Sequence, residues 1–148
     1  LLEQLAIADP PYREAIARAL ATIFQKDPQP LVTFALTAEK KSVRLGVLRA
    51  LDMLESPQAL PALRRALQDP DAEVRHASVS ALAKLEGAEA RALLLSAVRD
   101  PDPQIRIHAA RALWAADAHA YRSVLRTLEH DPVPEVREVV HQMLAERA

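Results

Sequence analysis

The chain has 148 residues, 50% of them hydrophobic but only 3% aromatic, with 2 glycines, no cysteine and a net charge of −1. That excludes disulfides and thiolate metal sites, and it lacks the strongly basic balance of most nucleic-acid binders. No apolar run approaches the roughly 20 residues that span a bilayer, and alanine, leucine and regular charges point to an all-helical protein with a sizeable core. No signal peptide is visible, a cytoplasmic setting is favoured, and the start at Leu1-Leu2 without methionine suggests a module of a longer protein.

In chain order, Leu1 to Ile7 reads as the remnant of a helix with Leu1 and Leu5 on one face. Asp9 is a good N-cap with Pro10 at the first helical position, opening a helix to about Phe24 that is expected to bury Tyr12, Ile16, Ala19, Leu20 and Ile23. Lys26-Asp27-Pro28-Gln29-Pro30 breaks the chain. Leu31 to Thr37 then leads to a turn at Ala38-Glu39-Lys40-Lys41, expected to be the least rigid corner, and to a helix burying Val43, Val47, Ala50, Leu51 and Leu54. Ser56 caps and Pro57 starts a third unit, whose second helix is expected to end near Glu86-Gly87 with Gly87 as C-cap. The fourth unit runs from Ala88 through Arg99, turns at Asp100 and continues to about Ala116. The fifth starts near Asp117-Ala118, turns at Asp131-Pro132-Val133-Pro134 and ends at Ala148. There Glu129 and Arg147 replace the apolar residues of earlier units, as on the polar outer face of a cap or at a fraying chain end.

One corner shows the common plan. Asp100 precedes Pro101 and stops a helix; Asp102 offers a cap oxygen; Pro103 opens the next helix; Ile105, Ala109, Ala112 and Leu113 form its buried stripe. Shifts of 31 residues carry Leu113 onto Leu20, Leu51, Leu82 and Leu144, and Ile105 onto Tyr12, Val43, Val74 and Val136. They also carry Arg106 onto Arg13, Arg44, Arg75 and Arg137. Asp100 maps onto Asp69 and Asp131, but onto Ala38 one unit earlier. Upstream helices repeat a column of Leu5, Leu36, Leu67 and Val98.

This pattern resembles the HEAT repeat, in particular the short bacterial form of phycobilisome-lyase-like proteins. Leu60-Pro61-Ala62-Leu63, Asp69-Pro70-Asp71-Ala72-Glu73-Val74-Arg75, Ala77, Ala81 and Leu82 carry the resemblance. Pro61 and Pro30 match the family's first-helix proline, whereas Ala92 and Ser123 depart from it. The resemblance implies an α-solenoid, a right-handed α-α superhelix of about five stacked helix hairpins. It would form one repeat domain, with units at about 1–25 (partial), 26–56, 57–87, 88–117 and 118–148. It also implies a structural ladder of Asp69, Arg75, Asp100, Arg106, Asp131 and Arg137; the alternative is ordinary exposed pairs worth about 0–1 kcal/mol each.

Chemistry is harder to find. His76, His108, His119, His130 and His141 form no HExxH pattern and show no convincing convergence on a metal, so neither metal nor cofactor is expected. Ser78, Ser80, Ser96 and Ser123 lack a nucleophile context, and two isolated glycines make no phosphate loop, so no enzyme is expected. The second helices are expected to line the concave side, with outward columns Arg18-Arg49-Ser80-Arg111-Gln142, Glu14-Leu45-His76-Ile107-Glu138 and Ala21-Asp52-Ala83-Trp114-Ala145. Arg18, Arg49, His76, Ile107, Arg111 and Trp114 form the expected contact set for a protein or an acidic or amphipathic peptide. Against it stand a Trp114 that fills a gap between alanine layers and arginines that are merely solvated. Two rival functions are a bilin lyase-like enzyme or subunit, from the resemblance, and nucleic-acid binding, which near-zero charge and few aromatics disfavour.

Overall fold

The computed structural model describes residues 1–5 and 7–146, and among these there is no strand. Helices α1 (Leu2–Leu5), α2 (Pro10–Ile23), α3 (Gln29–Thr37) and α4 (Lys41–Leu54) form the first half. A 3-10 turn, Pro57–Ala59, leads into α5 (Leu60–Ala66), followed by α6 (Ala72–Lys84), α7 (Ala88–Ala97), α8 (Pro103–Ala116), α9 (Ala118–Leu128) and α10 (Pro134–Glu146).

The helix starts follow from the caps. Asp71 accepts from the Glu73 N–H at 2.9 Å, Asp102 from Gln104 at 2.8 Å, Asp117 from Ala120 at 2.9 Å and Ser56 from Gln58 at 3.3 Å. Each satisfies an amide that the first helical turn leaves without a partner. Asp9 and Lys40 precede α2 and α4 without a side-chain cap bond. Gly87 does not end α6, which stops at Lys84; at φ 104° it starts α7, in the register of Ser56. The left-handed C-cap falls instead on Glu55 at the end of α4, φ 48°.

The helices pair as hairpins, α3 on α4, α5 on α6, α7 on α8 and α9 on α10, and the second helices α2, α4, α6, α8 and α10 pack side by side in one row. The first helices form an outer row that packs less closely. This is an α-solenoid. Between the rows Leu20, Leu51, Leu82 and Leu113 are buried and Leu144 is half-buried. Val74, Ile105 and Val136 are buried beside them. Leu5 from the single turn of α1 seats against Gly46 of α4, where a Cβ would overlap its side chain.

The stripe fails at the N-terminal end. Tyr12 is 67% and Ile23 59% exposed, not buried, and Leu1 and Leu36 are also exposed. The cause is α1: one helical turn cannot cover the length of α2, and it packs on α2 and α4 and leaves the outer edge of α3 open. A groove of about 570 Å³ lined by Leu1, Ile7, Tyr12 and Ile16 results. Phe24, Val43 and Leu54 pack against the core half-buried. At the other end Glu129 is half-buried; Arg147, expected on the polar end face, lies outside the described residues.

Arginines tie the corners. Arg75 Nε and Nη2 donate to the two carboxylate oxygens of Asp100 at 2.9 and 3.0 Å, while Nη1 donates to the carbonyls of Asp69 and Pro70 at 3.0 and 3.2 Å. Arg106 repeats this on Asp131 at 2.8 and 2.7 Å and on the carbonyls of Asp100 and Pro101 at 2.8 and 3.1 Å. Arg44 does the same with Asp69. Each guanidinium thus spans its own turn and the carboxylate 25 residues on. Each carboxylate also accepts an N–H two residues ahead, Asp69 from Asp71, Asp100 from Asp102 and Asp131 from Val133. Arg106 holds the Asp131 carboxyl below the usual carboxylate range, and Asp100 raises the Arg75 pKa. Arg137 donates to the carbonyls of Asp131 and Pro132 at 2.7 and 3.2 Å.

Arg13 is the exception: its Nε donates to the Ala8 carbonyl at 2.7 Å, and the position 25 residues on is Ala38, with no carboxylate. Ala38→Asp should therefore stabilise the chain by about 0.5–2 kcal/mol, the range of a well-placed surface repair. The gain in urea unfolding should vanish when Arg13 is replaced by methionine; a gain that survives would come from the turn amide alone.

Candidate functional site

The inner row carries the exposed columns. Arg18 on α2, His76 on α6 and Arg111 on α8 are exposed, and Arg49 on α4 is half-buried. Ile107 and Trp114 are not: they are 3% and 6% exposed, and Leu45 of the same set is 8% exposed. Both leave the contact set. Leu45 and Ile107 join the buried core, whereas His76 and Glu138 of the same column stay exposed. Trp114 is covered from the outer row, where the Arg122 guanidinium of α9 stands 5.6 Å from the ring centroid, a cation–π distance.

What remains open is a groove of about 330 Å³ across α2, α4 and α6, lined by Glu14, Arg49, Asp52, Glu73, His76 and Ser80. Two of its three carboxylates are engaged by lysines. Glu73 pairs with Lys41 at 2.8 Å, which also holds Asp71, and Asp52 Oδ2 takes Lys84 Nζ at 2.7 Å. Asp52 Oδ1 is buried without a partner among the described residues. Arg49 thus shares the groove with two acids paired to lysines and with Glu14.

A family model for HEAT repeats matches residues 1–83 and again residues 65–145. The chain belongs to the HEAT-repeat family. The match covers HEAT repeats in general and does not single out the phycobilisome-lyase-like form. Among solved structures, the HEAT chain is similar to an engineered protein from the Northeast Structural Genomics Consortium, at 22% identity and a TM-score of 0.54. The alignment covers 97% of this chain and 76% of that one. At that identity the likeness speaks for the fold. No curated protein matches the chain. As a HEAT array it is a helical-repeat scaffold, and no helix among the described residues is long and apolar enough to cross a membrane.

Two histidines of this HEAT chain come together although they are 32 residues apart, one step off the repeat. His76 Nε2 lies 3.2 Å from His108 Nδ1, with ring centroids 4.8 Å apart and planes tilted by 42°. Burial, then His76 and Arg111, push the His108 pKa below its ordinary 6.5. His141 Nε2 lies 3.3 Å from Glu129 Oε1. Among the described residues no group of three or more His, Cys, Asp or Glu is placed to hold a metal ion. Register arithmetic missed the His76–His108 pair because it asks for equivalent positions. The available signal was geometric: a residue on one helix meets the neighbouring helix one position off its own register.

Proposed function

We propose that this HEAT-repeat chain is a non-catalytic scaffold that holds a protein or peptide partner along the inner face of its second helices. Arg18, Arg49, His76 and Arg111 are the contact residues, and the partner segment is acidic or amphipathic. The groove across α2, α4 and α6 carries this reading: Lys41 and Lys84 pair with two of its acids, Glu73 and Asp52, and Arg49 offers its fork of donors to an incoming carboxylate. Arginine is also among the residues that dominate interface energetics.

The test is fluorescence binding of acidic, neutral and basic amphipathic peptides to the chain and to an Arg49→Glu/Arg111→Glu double variant. The acidic set should bind best and lose about tenfold or more in the double variant, at unchanged melting temperature. Equal binding of basic peptides, or affinity unmoved by the charge reversals, would remove the inner face as the site.

A further inference from the structure

The His76–His108 pair has the makings of a metal chelate. We propose that His76 Nε2 and His108 Nδ1 together bind one late first-row divalent cation, Cu2+, Ni2+ or Zn2+, with water completing its shell. The two nitrogens are 3.2 Å apart. Metal–imidazole bonds of about 2.0–2.1 Å to both would subtend about 100° at the ion, between the octahedral and tetrahedral angles. The rings come from separate helices, α6 and α8, that pack against each other, so the backbone positions are set before any ion arrives. His76 is exposed on the inner face, which gives entry and room for water; His108 is half-buried behind it. Nδ1 ligation places its remaining proton on Nε2.

The donor set selects the metal. Imidazole suits Cu, Ni and Zn, whereas Mg2+ and Ca2+ demand oxygen ligands. The nearest acid on the same helix face, Glu73, is one turn before His76 and is held by Lys41 at 2.8 Å. The site therefore has two protein ligands, and copper should bind tightest. The inference shares His76 with the partner-binding reading but needs neither Arg18 nor Arg49, and its readout is metal alone, with no partner present.

Calorimetric titration of the chain with CuCl2, NiCl2, ZnCl2 and MgCl2, at about pH 7.5 where imidazole is neutral, tests it. One equivalent of Cu2+ should bind, Ni2+ and Zn2+ more weakly and Mg2+ not detectably. His76→Gln and His108→Ala should each weaken Cu2+ binding by about tenfold or more, since the second nitrogen acts at high effective concentration. His119→Ala and His130→Ala should leave it unchanged. Saturating Cu2+ should also raise the melting temperature of the parent chain but not of His76→Gln. His76 is exposed, so that variant reads the site even where His108→Ala disturbs packing. Unchanged affinity in His76→Gln, or equal losses in His119→Ala and His130→Ala, would show adventitious binding and overturn the proposal.

Discussion

Arg106→Leu should lower the unfolding free energy by about 3–5 kcal/mol, the cost of leaving a buried charge without its partner. Arg106 is 8% and Asp131 7% exposed, and four of the five guanidinium donor directions are used on Asp131, Asp100 and Pro101. Removing the guanidinium strands the carboxylate on one amide, that of Val133, and frees two turn carbonyls. A second change, Asp131→Leu, should recover part of the loss, because a paired removal leaves no orphan charge. It recovers only part, since Asp131 also holds its own turn. Urea unfolding of the two single variants and the double gives the coupling directly. The contrast is Arg64–Glu89, 2.6 Å apart with both side chains more than half exposed. Arg64→Leu should move stability by no more than about 1 kcal/mol. Distance alone would rank that pair first; burial and the bidentate geometry reverse the order.

Leu82→Ala should cost about 2–5 kcal/mol. Leu82 has no solvent exposure and sits in α6, the middle helix of the inner row, with α4 and α8 on either side. Methyl groups lost there open a cavity bounded by three helices, and a row of closely packed rods has little freedom to close it. The control is Tyr12→Ala. Tyr12 occupies the register of Val74 but is 67% exposed, so its removal should change stability by about 0.5 kcal/mol or less. Circular dichroism in urea checks both. A similar loss for the two would mean that register, not neighbour contact, decides what is buried.

That comparison marks where the sequence is legible. The corners were partly readable: Asp102 and Ser56 act as caps because the chemistry is local, a side-chain oxygen and an amide two or three residues away, whereas Asp9 makes no cap bond. The interior columns were readable because identical units place Leu51, Leu82 and Leu113 in identical surroundings. Tyr12, Ile23 and Leu36 were not, because periodicity gives the face of a helix but not whether another helix lies against it. Gly87 was misplaced by one boundary, since a positive φ suits the exit of one helix and the entry of the next equally well. Of the contact set, Arg18 and Arg111 lie outward, while Ile107 and Trp114 turn inward. Helical periodicity alone does not say that α9 covers Trp114, where Arg122 lies 5.6 Å from the ring centroid. Gly46, which periodicity does not single out, is the seat of Leu5.

The central claim is that the stack holds because each interior second helix is clamped by both neighbours, with the arginine corners locking the turns. Amide hydrogen exchange read helix by helix tests it most directly, since protection reports local opening. The slowest exchange should fall in α4, α6 and α8, with α1 opening first and α10, flanked by α8 alone in the inner row, intermediate. Protection highest in α10 or in the outer helices α3, α5, α7 and α9, with α6 exchanging freely, would contradict the account.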